Sequence, residues 1–171
     1  MDAKVSCILK EHVPRRAQAL FAQAHCSIAT LEPGELYKNR SSALSRLQID
    51  VDAWPAPPAG LFVVEERTVY LRCLDPMTVV HEYGHGIDCA LGGGVYFSGR
   101  DPAIRKAFAE ARSFVTPYAA TGVDEFFAEC FRAWCGANSQ GSAWPRVSRE
   151  RLRALHPSMF ELLAQRFSDA S

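Results

Sequence analysis

In the stretch VVHEYGHGID, residues 79–88, two histidines stand four apart and a glutamate directly follows the first. On a helix, residues at that spacing share one face and lie one turn apart, so His81 and His85 can grip a single ion. Glu82 is rotated by about 100° from His81. That direction suits a base acting on water at the metal better than a third ligand. Coordination to zinc brings the pKa of water toward about 7, and a nearby carboxylate can then accept the proton. HExxH is the helix signature of zinc proteases. Gly84 and Gly86 cost the same helix roughly 1 kcal/mol each against alanine. A close approach by another segment, or by substrate, is expected to account for them.

Two histidines do not complete a catalytic zinc site, which takes three protein ligands. The other histidines are His12, His25 and His156. None fits the extended pattern HExxHxxGxxH, because positions 88 and 91 hold Asp88 and Leu91. The missing ligand is therefore expected to be a carboxylate on a later helix. The segment YAATGVDEFFAECFRAW, residues 118–134, offers Glu125 and Glu129, four apart. One reading makes them a solvated stripe, with Glu129 and Arg132 an exposed pair worth a few tenths of a kcal/mol. Against it, Val123, Phe126, Phe127, Cys130, Phe131 and Trp134 cover so much of the helix that it should be largely buried. Buried carboxylates need compensation, and a zinc ion supplies it.

HEYGHGID followed by Y-x6-E-F-F-A-E-x-F-R resembles the catalytic domain of the anthrax lethal factor-like zinc metallopeptidases, which include the Pro-Pro endopeptidases. The resemblance is specific over residues 75–134, looser at 61–72 and near the C-terminus, and absent over residues 1–50. It implies a gluzincin: one Zn2+ held by His81, His85 and Glu125, with Glu82 as general base. Tyr118 maps to the family tyrosine that stabilises the oxyanion. Glu129 maps to a second carboxylate that orients a ligand histidine. The implied activity is zinc-dependent endopeptidase hydrolysis of a peptide or protein substrate, in a toxin, an effector or a housekeeping enzyme. The rival readings are a catalytically silent zinc-binding regulatory domain and a metal-free helix bundle.

Several residues near these motifs keep two readings. Asp88 either hydrogen-bonds around the site or caps and solvates its helix. Tyr96 either lines a substrate groove or packs at the surface. Cys89 and Cys130 are expected in the core, and His156 at the surface or at a helix cap.

The elements that must position these groups follow from local signals. Asp75–Pro76 starts the motif helix, the aspartate capping free amides and the proline taking the first turn, and Gly92–Gly94 stop it. Before it, LFVVEERTVYLRCL reads as a hairpin around Glu65–Glu66–Arg67, with TVYLR the candidate edge strand for pairing with substrate backbone. Asp101–Pro102 predicts a helix to about Phe114, and Thr121 with Asp124 resembles a capping box for a helix to about Trp134. SRERLRAL and PSMFELLAQRF predict closing helices. The first helix is expected from Pro14 to about Ala24, and SRLQIDVDAW alternates like a strand. The fold expected is α+β, a helix-rich zincin-like domain with a small antiparallel or mixed sheet preceding the HExxH helix. A single unit over 1–171 is expected, with a helical N-terminal part over 1–50 and a catalytic core over 60–168.

Nineteen basic residues balance nineteen acidic ones, which gives no support to nucleic acid or an anionic membrane surface as partner. No apolar run approaches the length of a membrane span, and the N-terminus lacks the apolar core of a secretory signal. A cytoplasmic location with six reduced, mostly buried cysteines is the default expectation, export without a removable signal being compatible with the same features.

Overall fold

A computed structural model of the protein describes residues 2–168. The chain runs α1 (Ala3–His12), α2 (Arg15–Gln23), β1 (Ser27–Thr30), α3 (Tyr37–Arg40), α4 (Ser42–Leu47), β2 (Gly60–Val63) and β3 (Thr68–Leu71). It continues through α5 (Pro76–Leu91), α6 (Pro102–Ala109), α7 (Val123–Cys135), α8 (Arg149–Leu155) and α9 (Pro157–Phe167). The architecture is α+β and helix-rich, with the small sheet lying before α5, which carries the HExxH residues. No helix among the described residues is long and apolar enough to cross a membrane.

The sheet is mixed, in the order β1-β3-β2, with β1 parallel and β2 antiparallel to β3. Strand alternation divides its side chains between two cores. Phe62, Val69 and Leu71 enter the main core with α5 and α7, while Val63 and Tyr70 join Tyr37, Ala43, Leu44 and Val51 in a smaller one. The hairpin is as expected, but TVYLR is not an edge. β1, a four-residue strand with little apolar patterning, pairs along it and makes β3 central. The edges are β1 and β2.

Asp75 caps α5 by accepting from Thr78 N at 3.1 Å, and Pro76 takes the first turn. Every residue from Thr78 to Cys89 is buried, so α5 threads the middle of the molecule. Its two glycines answer close approaches by other helices. A Cβ at Gly84 would lie 3.1 Å from Ala128 Cα of α7, and one at Gly86 would lie 2.4 Å from the Phe21 ring of α2. Phe21 in turn stacks on Tyr83, ring centroids 4.2 Å apart.

Local signals misjudge several other segments. The first helix is α1, capped by the Asp2 carboxylate, and Pro14 is the N-cap of α2 instead of its first turn. SRLQIDVDAW holds no strand: it contains the end of α4, a left-handed Gln48 and a single 3-10 turn at Val51–Ala53. Ser41 caps α4, and burial of Ala43 and Leu44 overrides the alternating pattern. α6 ends at Ala109, before Phe114. Gly122, not Thr121, is the N-cap of α7, and the Thr121 hydroxyl donates back to the Tyr118 carbonyl. His156 sits at the cap position between α8 and α9, one of the two places expected, but it is buried there instead of exposed, its ring 4.8 Å from Phe126 and 5.9 Å from Phe114. The cysteines are free thiols: Cys89 and Cys130 are buried as expected, but Cys26 and Cys135 are half-buried and Cys7 and Cys73 are exposed.

Candidate metal centre

α5 and α7 pack against each other more extensively than any other pair of elements, which brings the two sequence motifs face to face. One oxygen of Glu125, Oε2, lies 3.1 Å from His81 Nε2 and 3.2 Å from His85 Nε2. The three donor atoms all fall within 4.8 Å of one another. Ligands at about 2.0–2.1 Å from a tetrahedral zinc are separated by roughly 3.3 Å. Glu125 Oε2 is buried and has no hydrogen-bond partner among the described residues, although burying a carboxylate oxygen unpaired is costly. An orphaned anionic oxygen facing two imidazole nitrogens fits a divalent cation, and the nitrogen-and-carboxylate donor set suits zinc.

The other nitrogen of His81 is already engaged. Glu129 Oε1 lies 2.8 Å from His81 Nδ1, which leaves Nε2 as the atom turned toward Glu125. Glu129 is itself held from two more sides. The Arg132 guanidinium donates to both its oxygens at 2.8 Å, and the Thr116 hydroxyl donates to Oε2 at 2.6 Å. Arg132 also donates to the Ala137 carbonyl at 3.1 Å, the carbonyl just beyond α7. The pair is buried, so the exposed i,i+3 ion pair that sequence allowed is not what forms.

These contacts set the protonation of the free site. Burial lowers the His81 pKa, but the Glu125 carboxylate beside Nε2, the hydrogen bond to Glu129 and the charge of Glu82 outweigh it and carry it to about 10. Burial raises Glu129, and the bonds from His81 and Arg132 overcome this to hold it at about 2. Glu82 differs: burial pushes its carboxyl up, against the lowering charges of His81 and His85.

Tyr118 lies on a 3-10 turn just before α7 and is partly exposed. Its hydroxyl donates to Glu125 Oε1 at 3.0 Å, and its ring centroid is 5.5 Å from that of His81. Burial, then the Glu125 charge, push the phenol pKa up, so Tyr118 stays a protonated donor. A cleft of about 330 Å³ opens beside these groups. His81, Glu82, Tyr118, Gly60, Met77 and Trp144 are among the residues that line it. Trp144 stands edge-on to Tyr118, ring centroids 6.2 Å apart.

The structure therefore brings together His81, His85, Glu82, Glu125, Tyr118 and Glu129. Asp88 is not in that group. Its carboxylate accepts from Ser98 N at 2.7 Å and Ser98 Oγ at 2.5 Å, pinning the loop after the glycines, and among the described residues no hydrogen bond joins it to His81 or His85. Tyr96 is half-buried against the core, its ring 5.7 Å from His85 and 6.4 Å from Phe62. Thr116 and Trp144 were missed. Neither carries a spacing signal, because each reaches the site through a loop.

No family model matches the chain, and no curated relative matches it. Among solved structures, the Pro-Pro endopeptidase PPEP-2 from Paenibacillus alvei shares the fold, with a TM-score of 0.63 at 16% identity. The match covers 95% of this chain and 90% of that one.

Proposed function

We propose that this protein is a zinc-dependent endopeptidase of the gluzincin type, cleaving peptide bonds within a peptide or protein substrate. The observation that carries the reading is the convergence of His81 Nε2, His85 Nε2 and the orphaned Glu125 Oε2 beside a buried carboxylate base. The shared fold with an enzyme named as a Pro-Pro endopeptidase supports a peptide as the substrate class. The motif resemblance to the lethal factor-like metallopeptidases points the same way.

His81, His85 and Glu125 would hold one zinc ion. When bound, it polarises a carbonyl and lowers the pKa of water toward neutrality. Glu82 takes the proton of the attacking water and returns it to the leaving amine. The raised pKa that burial gives it suits a group that must carry a proton between two steps. Tyr118 releases Glu125 Oε1 and donates its hydroxyl to the oxygen that becomes anionic at the scissile carbonyl. Glu129 fixes the His81 ring through Nδ1. β2 borders the cleft and is the edge strand on this side, so an extended substrate would pair its backbone there, not on β3.

The test is a peptide-library cleavage screen on the zinc-loaded protein with Glu82→Gln as control. The variant should bind zinc like the wild type and lose about 10²–10⁴-fold in turnover. Undiminished cleavage by Glu82→Gln removes it as the base. A wild-type protein that binds zinc and cleaves nothing points to a silent zinc-binding domain instead.

A further inference from the structure

We propose that Gly60 is a positioning residue for Glu82, a role that rests on the hydrolytic reading above. Gly60 opens β2 opposite Leu71 and lines the cleft. A Cβ placed there would lie 2.5 Å from Glu82 Cγ and 3.1 Å from both Cδ and Oε1. These are its three nearest atoms, so the space above Gly60 is filled by the base. Carbon atoms rest at about 3.5–4.0 Å, and a 2.5 Å approach forces something to move.

What moves is decided by how each partner is held. β2 is paired with β3, and Phe62 and Val63 anchor it in two different cores. Glu82 is held at its backbone by a buried helix, but its side chain turns on three bonds. The backbone of Gly60 is not left-handed, so alanine meets no conformational objection of its own there. The side chain of Glu82 would therefore leave its place against the strand. The absence of a side chain at position 60 lets the base lie flat against the edge strand proposed to take the substrate backbone. Base and substrate then share one reference element. A displacement of about 1 Å at such a group can cost on the order of 10²-fold.

The experiment uses the zinc-loaded full chain carrying Gly60→Ala. Zinc stoichiometry and affinity should stay within about twofold of wild type, while kcat falls about 10–10²-fold. Affinity for acetohydroxamate, which chelates the metal and hydrogen-bonds to the base, should weaken by about tenfold, as it should in Glu82→Gln. Any drop in melting temperature caused by Gly60→Ala should vanish in a Glu82→Ala background, where the clashing Cγ is gone. If Gly60→Ala does not fold, the double variant should, and its failure overturns the proposal. So do a kcat and hydroxamate affinity within twofold of wild type, a loss of zinc, or an equal drop in melting temperature in both backgrounds. If the wild type binds zinc and hydroxamate but cleaves no peptide, the hydrolytic reading fails. The hydroxamate and stability comparisons still decide the role of Gly60.

Discussion

Glu129 accepts from three residues of different origin, and each bond carries a different consequence. The bond to His81 orients a proposed ligand, and the fork from Arg132 neutralises a guanidinium that is only 1% exposed. Glu129→Ala removes both. It should weaken zinc binding by about 10–100-fold and cost about 3–5 kcal/mol of stability, because Arg132 is left buried and uncompensated. Competition with a chelator measures the first effect and denaturant unfolding of the metal-free protein the second. A loss of stability without a loss of zinc affinity would detach Glu129 from the metal and leave it a purely structural anchor. Asp88 shows the converse. Three residues after His85 it has the spacing of a site residue, yet its carboxylate is spent on Ser98.

At the scale of elements, the decisive contact is the crossing of α5 and α7, which contribute all three proposed ligands. Gly84 allows that crossing. Alanine there would press its Cβ within 3.1 Å of Ala128 Cα and 3.3 Å of Ala128 O, backbone atoms that cannot rotate away. The strain expected from overpacking, about 1–3 kcal/mol, exceeds the gain in helix propensity of roughly 1 kcal/mol. Gly84→Ala should lower the melting temperature and also weaken zinc, because it pushes the helix bearing Glu125 away from the one bearing His81 and His85. Unchanged zinc affinity would mean that the crossing tolerates the shift. The hairpin is fastened in another way. Glu66 at its tip accepts from Ser41 Oγ, Ser42 Oγ, Ala43 N and Tyr70 OH at 2.6–3.0 Å. Burial raises its pKa, but those bonds prevail and hold it at about 2 against an ordinary 4.5. A depressed carboxylate contributes stability that is complete above its unfolded pKa and is lost as pH falls through the folded one. Wild type should therefore exceed Glu66→Gln in stability above about pH 4.5, and the difference should fade toward pH 2. Thermal melts across that window read the outcome, and a pH-independent difference would remove the carboxylate as its source.

For the whole molecule, the core is apolar and is expected to stand without the proposed metal. The main cluster runs from Val5 on α1 to Phe167 on α9 and is made of apolar side chains, none of them a proposed metal ligand. Chelation should then leave a cooperative fold, less stable by about 2.7 kcal/mol where free zinc had been at a hundred times its dissociation constant. Calorimetry with and without chelator checks this, and collapse of the fold on chelation would make the site structural. The sequence by itself determined the pattern of α5. HExxH at helical spacing, with Asp75–Pro76 before it and glycines behind, is a local pattern, and the apolar surface of residues 123–134 marked the helix that faces it. Both are periodicities within one element, which a linear chain displays. Resemblance to a family, not spacing, assigned Glu125 and Tyr118. Only the tertiary structure decided which strand is the edge, since β1 is too short and weakly patterned to be seen before it pairs with β3. It also decided that Arg132 is buried on Glu129, that Thr116 and Trp144 reach the site from loops, and that His156 packs against Phe126. Those outcomes depend on contacts between residues far apart in the chain. Burial and pairing across elements set them, and neither leaves a period in the sequence.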